Sequence, residues 1–515
     1  MKIKHVGLIS AALLVSQACY AAGETNTPVT GMNIGPEINE ILGRSPNPLA
    51  AVDTYMAGIA ATNVRWIRLG INWARTQPTR TTINTADANP GTTSGLTWGN
   101  ADILIKSARN HGLRVLGLIT LTPSWATHAG CTSTALSQAH VAGSTWLCAP
   151  NPPDYAAFAI AAAKHYNDDS KGGRVDAWEV WNEPNCGGEF VPHDPAIYTE
   201  LLKQSYAGIK QANPAASVLA GGTGSCATSG MTAPGTLPAS GINSLMAATP
   251  SMNWDSRDWL TAMYANGAKP YFNALAHHPY CFSDDWQDGA KRCPTGTGSW
   301  SPFAKMWYPS FPSPSYGWPV VVNGATVAPL QSYVGTSLRA IMDNNGDATK
   351  TMVFTEFGVP STGTDGDPNF TGTLGGTKYT NFTGTVGGIS YTNFTGTLGG
   401  TSYTNKDLRT LAPSLTQANQ YREYQEVMNW VATQPRGKYG PVFAFSYSDV
   451  SFLNPVSKNV YEPYFGLVKL GSDTEITGIT GEHKLAYDLW LSYGAKAKTA
   501  GAYYPFYFPL IGPGW

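Results

Sequence analysis

The chain has 515 residues, and 42% of them are hydrophobic, which excludes global disorder. Its formal charge is −1, and 13% of residues are charged, against about 25% in an average domain. So weak a field excludes electrostatic capture of nucleic acid or of an anionic membrane.

In chain order, the first element reads as a secretory signal. Lys2 and Lys4 precede an apolar run from Val6 to Val15, and small residues offer cleavage after Ala21. The run is too short to span a bilayer as a helix. Losing 1–21 removes two lysines and no acidic residue, so the charge moves from −1 to −3. No later segment is long and apolar enough for a membrane span, so the expectation is a secreted or periplasmic chain. Of seven cysteines, Cys19 leaves with the signal, since Ser16-Gln17-Ala18 makes a poor lipobox. Cys131, Cys148, Cys186, Cys226, Cys281 and Cys293 remain, an even set that suits three disulfides in an oxidising compartment. Sequential pairing is the simplest scheme.

Short apolar runs then alternate with helical patterns. Strands are expected over 31–38, 64–73, 114–122, 175–181, 217–221, 272–278, 351–357 and 442–448. Helices are expected over 50–62, 101–111, 154–166, 195–211, 257–266, 330–343, 416–433 and 482–493. Strand–helix alternation implies a parallel sheet, and eight units suggest an α/β fold of the (β/α)8 TIM-barrel class across 22–498, with an aromatic tail over 499–515. A bare barrel needs about 250 residues. The excess lies after strands, in 127–153, 222–255, 279–329 and 358–412, so long βα-loops should crowd the C-terminal face, where active sites are built. All six remaining cysteines sit in or beside these segments. Cys186 and Cys226 follow neighbouring strands, so a bridge between them is geometrically reasonable as well.

One insertion, at about 367–405, is a tandem repeat. Asn-Phe-Thr-Gly-Thr starts at Asn369, Asn381 and Asn393, with a degenerate copy at Asn405 and a period of 12. Stacked hairpins, a mobile segment and a recent neutral duplication all fit this pattern. Each Asn-Phe-Thr is formally an N-glycosylation acceptor.

Two motifs carry chemistry. Val175-Asp-Ala-Trp-Glu-Val-Trp-Asn-Glu-Pro-Asn185 is an apolar strand that ends in Asn182-Glu183-Pro184. Alternation puts Trp178, Val180 and Asn182 on one side of it, and Glu179, Trp181 and Glu183 on the other. Met352-Val-Phe-Thr-Glu-Phe-Gly-Val-Pro360 likewise delivers Glu356 where its strand ends. Two carboxylates at one barrel mouth suit cleavage of a glycosidic bond: one protonates the leaving oxygen, and the other attacks or activates water. With 16 Trp and 26 Tyr, the composition also fits a neutral ligand with flat apolar faces, as a sugar is.

Trp-Asn-Glu-Pro and Thr-Glu-Phe-Gly resemble the acid/base and nucleophile motifs of clan A glycoside hydrolases, which are retaining (β/α)8 barrels. The longer stretch Val175–Asn185 is most similar to glycoside hydrolase family 39, in its bacterial exopolysaccharide endoglycosidase branch. The resemblance implies Glu183 as acid/base, Glu356 as nucleophile and Asn182 as partner of the sugar 2-hydroxyl. It matches Arg68, in Ile-Arg-Leu-Gly-Ile-Asn-Trp, to the arginine that holds the nucleophile ionised. An Arg⁺ within about 4–6 Å lowers a carboxylate by roughly 1–3 units. Glu183 needs the opposite, a drier setting. His278-Pro279-Tyr280 matches a His-x-Tyr motif, with Tyr280 donating to the nucleophile and His278 orienting acid or sugar.

The chain departs from cellulase-like family 5. It has Leu121-Thr-Pro-Ser-Trp125 where that family has a strand-3 histidine, and Phe443–Asp449 where it has a strand-8 tryptophan. Too few residues follow strand 8 for the accessory domain of family 39 xylosidases. Trp73, Trp125 and Trp181 fall at or near strand ends as candidate floors of the −1 subsite. Trp286, Trp300, Trp307, Tyr308, Tyr316 and Trp318 are candidate sugar platforms that favour endo-action. No cluster has zinc spacing and no Gly-rich loop suits phosphate, so neither metal nor cofactor is expected. The expected partner is a polysaccharide or oligosaccharide, bound by a monomer. Transglycosylation at the same site, family 5-like cellulase or mannanase action, and an inactive sugar-binding protein are the alternatives.

Overall fold

Eight short runs rich in Val, Ile, Leu and Trp form the strands of one closed parallel sheet. They are β1 (Thr30–Asn33), β2 (Trp66–Asn72), β3 (Arg114–Thr120), β4 (Ala177–Asn182), β5 (Ser217–Gly224), β6 (Ala274–His278), β7 (Thr351–Phe357) and β8 (Tyr439–Ala444). Each pairs with the next, and β8 pairs with β1. The computed structural model describes residues 27–34, 38, 41–42, 47–87, 95–139, 141–170, 172–185, 189–224, 254, 256–279, 338–359, 361, 417–449, 465–469 and 482–499, with short strands at 320–322, 325–327 and within 372–403.

A helix follows every strand: α1 (Pro48–Ala61), α2 (Gly99–Asn110), α3 (Pro152–His165), α4 (Pro195–Ala212), α5 (Ser256–Ala265), α6 (Leu338–Asn344), α7 (Gln417–Thr433) and α8 (Leu485–Thr499). Local chemistry sets several of their starts. Asn47 and Asp194 accept hydrogen bonds from the first free N–H groups of α1 and α4, and a proline occupies the first position of each. The fold is the expected (β/α)8 barrel. Strand β8 begins three residues earlier than expected, at Tyr439, and 445–449 lie beyond it.

The barrel interior is layered. Val29, Trp66, Leu116, Ala177, Leu219, Ala274, Ala276, Val353 and Phe443 form an apolar plug at the N-terminal end. Gly31 is required there, because a Cβ at that position would overlap the Phe443 ring. A larger core lies between sheet and helices, with Trp73, Trp178, Trp181, Trp259 and Trp490 fully buried. Burying each large apolar side chain contributes about 1.5–3 kcal/mol. One layer above the plug, the interior turns polar: Asn33, Arg68, Glu179, His278 and Thr355 are all buried. A closed, water-poor barrel tolerates such groups only when each is paired.

The β3–α3 connection is more than a tether. It holds a short helix, Ser133–Gln138, and a small core of Ala135, Leu136, Val141, Leu147, Cys148 and Val191. The Cys131–Cys148 disulfide fastens it, as sequential pairing anticipates. Cys186, Cys226, Cys281 and Cys293 lie outside the described residues, as do the signal segment and the 499–515 tail apart from Thr499. The repeat backbone pairs as three antiparallel hairpins: Gly372–Leu374 with Thr377–Tyr379, Asn381–Val386 with Ile389–Phe394, and Gly396–Leu398 with Thr401–Tyr403.

The disulfide closes a loop of sequence separation 17. In the chain-entropy model that is worth about 3 kcal/mol. The Cys131→Ser/Cys148→Ser variant is expected to melt earlier and to be cut first within 127–150 by limited proteolysis. Unchanged melting and an unchanged cleavage map would refute the structural role.

Candidate active site

Arg68 rises from β2 into the barrel axis and is 2% exposed. Its guanidinium donates through Nε to Glu179 Oε2 at 2.5 Å, through Nη1 to Asn33 Oδ1 at 3.1 Å and to Glu356 Oε1, and through Nη2 to Asn182 Oδ1 at 2.8 Å. Burial alone would weaken its protonation, but the charges of Glu179 and Glu356 more than reverse that. Glu179 also accepts from Gly222 N at 2.8 Å and from Thr355 Oγ1 at 3.0 Å.

Glu183 and Glu356 meet across this floor. Their carboxylates and the His278 ring each present one atom within 4.8 Å of the other two. His278 Nδ1 is 2.9 Å from Glu183 Oε1 and 3.8 Å from Glu356 Oε2. Burial lowers the His278 imidazole, but Glu356 first, then Glu183, outweigh it and raise it above its ordinary value. The neighbouring hydrogen bonds fix where its protons lie. Thr355 spends its single hydroxyl proton on Glu179, so it accepts from His278 Nε2 at 3.0 Å. Nε2 is then a donor. The Nδ1–Glu183 contact therefore holds one proton, either as imidazolium with carboxylate or as imidazole with carboxylic acid.

Backbone strain delivers Glu183. Trp181 has φ +69° and Glu183 φ +38°, conformations costly for non-glycine residues. The turn breaks the alternation expected of β4: Asn182 and Glu183 both reach the site, while Trp181 swings into the outer core. The Glu183 amide is held by Gly222 O at 2.9 Å. Gly222 has no alternative, because a Cβ there would overlap His278. Asn185 ties the strand exit to Gly224 with two hydrogen bonds, at 2.8 and 2.9 Å. On β7, a register shift against β8 falls between Phe354 and Phe357, across Glu356, and such irregularities re-aim a side chain.

Five of the sequence-derived residues thus converge: Arg68, Asn182, Glu183, His278 and Glu356. Tyr280 lies outside the described residues, as do the aromatics of 286–318. Two expectations are corrected. Trp73 and Trp181 are 0% exposed and offer a sugar no face. Trp73 packs on Trp125, Tyr155 and Phe158, and Trp181 on Tyr155 and Phe190. Trp125 is half-buried, with Nε1 donating to Gln77 O at 3.0 Å. Nor is Glu183 the drier carboxylate: its side chain is 24% exposed against 14% for Glu356.

Sequence reasoning passed over Glu179, Thr355, Gly222 and Glu189. Glu179 had a signal, since a carboxylate inside an apolar strand must be paired to be buried. Glu189 is partly buried just beyond the motif and accepts from Asn182 Nδ2 at 2.8 Å. Burial, then the charge of Glu183, pushes its carboxyl from 4.5 up to about 7, against the pull of the Asn182 hydrogen bond.

Glu183, His278 and Glu356 have the donor atoms of a three-ligand metal site. The guanidinium already on Glu356 argues against one, because a second cation would sit beside a buried positive charge.

No protein-family model matches the chain, and no curated protein sequence does. Solved structures do. A monomeric β-xylosidase from Caulobacter crescentus CB15 matches at 14% identity and TM-score 0.46, over 92% of this chain and 70% of that one. A family 39 glycoside hydrolase from the gut symbiont Bacteroides cellulosilyticus WH2 matches at 15% identity and TM-score 0.41, over 92% and 64%. An exo-β-1,4-mannosidase from Opitutaceae bacterium strain TAV5 matches at 14% identity and TM-score 0.44, over 92% and 60%. The chain thus spans less than two thirds of the length of the last two. Likenesses this distant leave the chemistry to the side chains.

Two measurements follow from the buried charges. Arg68→Met leaves Glu179 without its cation and is expected to cost about 3–5 kcal/mol in chemical denaturation. Adding Glu179→Gln should recover part of that loss; strictly additive losses would mean the two do not interact. Between pH 4.5 and 7 the folded chain keeps a proton on Glu189 that the unfolded chain has released, so this group costs stability as pH rises through that window. Glu189→Gln should therefore gain in melting temperature relative to the parent between pH 4.5 and 7. A constant difference would refute the shift.

Proposed function

We propose that the protein is a retaining glycoside hydrolase that cleaves β-glycosidic bonds by double displacement. The observation that carries this reading is the asymmetric carboxylate pair: Glu356 against a buried guanidinium, and Glu183 hydrogen-bonded to the His278 ring. The close approach of their oxygens, within 4.8 Å, favours the short spacing of retaining enzymes, about 5–5.5 Å between carboxyl groups, over the 6.5–9.5 Å of inverting ones.

In the first step Glu356 attacks the anomeric carbon. The glycosidic C–O bond breaks, and the leaving oxygen takes the proton from Glu183. Arg68 keeps Glu356 ionised and oriented for that attack. In the second step water attacks the anomeric carbon, its proton goes to Glu183, and Glu356 is released. Asn182 supports the sugar 2-hydroxyl, a contact that strengthens as positive charge builds at the anomeric centre. His278 Nδ1, 2.9 Å from Glu183 Oε1, orients that carboxyl for both proton transfers. The substrate is a polysaccharide or oligosaccharide, cleaved internally by a secreted or periplasmic enzyme. The signal-like start and the aromatic-rich loops support that part of the reading.

Glu356→Gln is expected to abolish release of reducing ends across a polysaccharide panel. Glu183→Ala should lower kcat about 10²–10⁴-fold on substrates with poor leaving groups. Azide should restore it on an activated aryl glycoside, giving the β-glycosyl azide. Near-normal turnover by either variant would overturn the assignment. Binding of a polysaccharide with no new reducing ends from the parent protein would make it a sugar-binding protein instead.

A further inference from the structure

Besides Glu183, Glu356 and the Arg68-bound Glu179, another carboxyl among the described residues reaches the site. Glu189 comes from the segment after β4, and Trp181 Nε1 holds its backbone carbonyl at 2.5 Å. The segment is anchored again two residues on. Val191 N donates to Leu147 O at 3.0 Å, and Ala149 N donates to Val191 O at 2.8 Å. The Glu189 side chain is therefore placed by a fixed backbone rather than by a free loop tip.

Its partner is the Asn182 amide, which has four hydrogen-bonding sites: two N–H donors and two lone pairs on one oxygen. Arg68 Nη2 donates to Oδ1 at 2.8 Å, which identifies that end as the oxygen. Nδ2 donates one N–H to Glu189 Oε2 at 2.8 Å. The second N–H has no acceptor among the described residues and is left for a ligand. With only Arg68 in place, the amide keeps one anchor and can swing about it. With Glu189 as well, both ends are pinned, and the direction of the remaining donor is set.

We propose that Glu189 is a positioning residue of this site, fixing the Asn182 amide so that its second N–H is presented to the sugar 2-hydroxyl. The proposal rests on the hydrolase reading above and deepens it. Glu189 acts through Asn182 and takes no part in bond making. The groups facing it are Asn182 and Glu183 from the end of β4, His278 from β6 and Glu356 from β7, with Arg68 one amide away. Two of these are carboxylates, so a neutral Glu189 adds no third negative charge beside them. A neutral carboxyl still accepts from Asn182 through its carbonyl oxygen. A glutamine can do the same.

The test compares Glu189→Gln and Glu189→Ala in the full chain, using aryl β-glycosides and their 2-deoxy counterparts. The parent should discriminate strongly against the 2-deoxy sugar. Glu189→Ala should lose about 10–100-fold in kcat with little change in KM, and most of that loss should vanish on the 2-deoxy substrate. Glu189→Gln should keep the discrimination. A Glu189→Ala enzyme that still discriminates as the parent does would overturn the proposal, and so would a Gln variant as impaired as the Ala variant. A parent inactive on every glycoside would instead defeat the hydrolase reading. The pairing is then decided by melting temperatures of Asn182→Ala, Glu189→Ala and the double variant. Non-additive shifts support it, and additive shifts overturn it.

Discussion

The structure depends on one buried guanidinium. Arg68 takes acceptors from β1, β4 and β7 at once, through Asn33, Glu179, Asn182 and Glu356. An arginine alone in a barrel interior would be prohibitively costly, and so would Glu179 alone. Together they are tolerable, and the pair then works as a rigid plate that carries the site. Its planar fork suits this better than a lysine would, because four acceptors in fixed directions need donors in fixed directions. Glu179 has a second consequence. By neutralising part of the guanidinium from below, it leaves Glu356 bound to a cation whose charge is shared. Glu356 is held in place without being given sole possession of that charge.

Above the plate, the geometry comes from local backbone exceptions rather than from regular strand structure. A uniform β4 would send Glu183 and Trp181 to the same side. Positive φ at Trp181 and Glu183 separates them, sending the ring to the outer core and the carboxylate to the mouth. Positive φ costs about 1–3 kcal/mol per residue. Packing of the Trp181 ring against Tyr155 and Phe190 offsets it, and the Gly222 carbonyl holds the Glu183 amide. The strain is therefore local and is carried by the neighbours that share the turn.

This explains how much was legible in the sequence. Strand and helix positions followed from short apolar runs and helical spacing, since burial on both sheet faces leaves an unambiguous run. Strand β7 was read to the residue, and Glu183 and Glu356 stood out as carboxylates where apolar strands end. What failed were inferences that extended a strand's alternation past its last regular residue. Trp181 looks identical in sequence whether it floors a subsite or fills a core, and only its φ decides. Trp73 was lost for a related reason: the helical turn that begins at it buries the ring against α3 residues. Glu179 could have been found, because nothing but a partner explains a carboxylate in that run. Gly222 and Glu189 could not, since their importance lies in contacts between strands and loops distant in the chain.

The same view shows why the loop beyond β3 matters to a site it does not enter. Residues 189–191 have no helix or sheet of their own. They are held by the β3–α3 connection through Val191, which belongs to that connection's small core beside the disulfide. Glu189 in turn is held through Trp181, on the strained end of β4. Asn182 therefore receives support from two directions: from the barrel axis through Arg68, and from the rim through Glu189. An amide pinned from one direction rotates. Pinned from both, under the hydrolase reading proposed above, it contributes binding energy selectively as charge develops on a sugar, because no reorientation is required when the transition state forms.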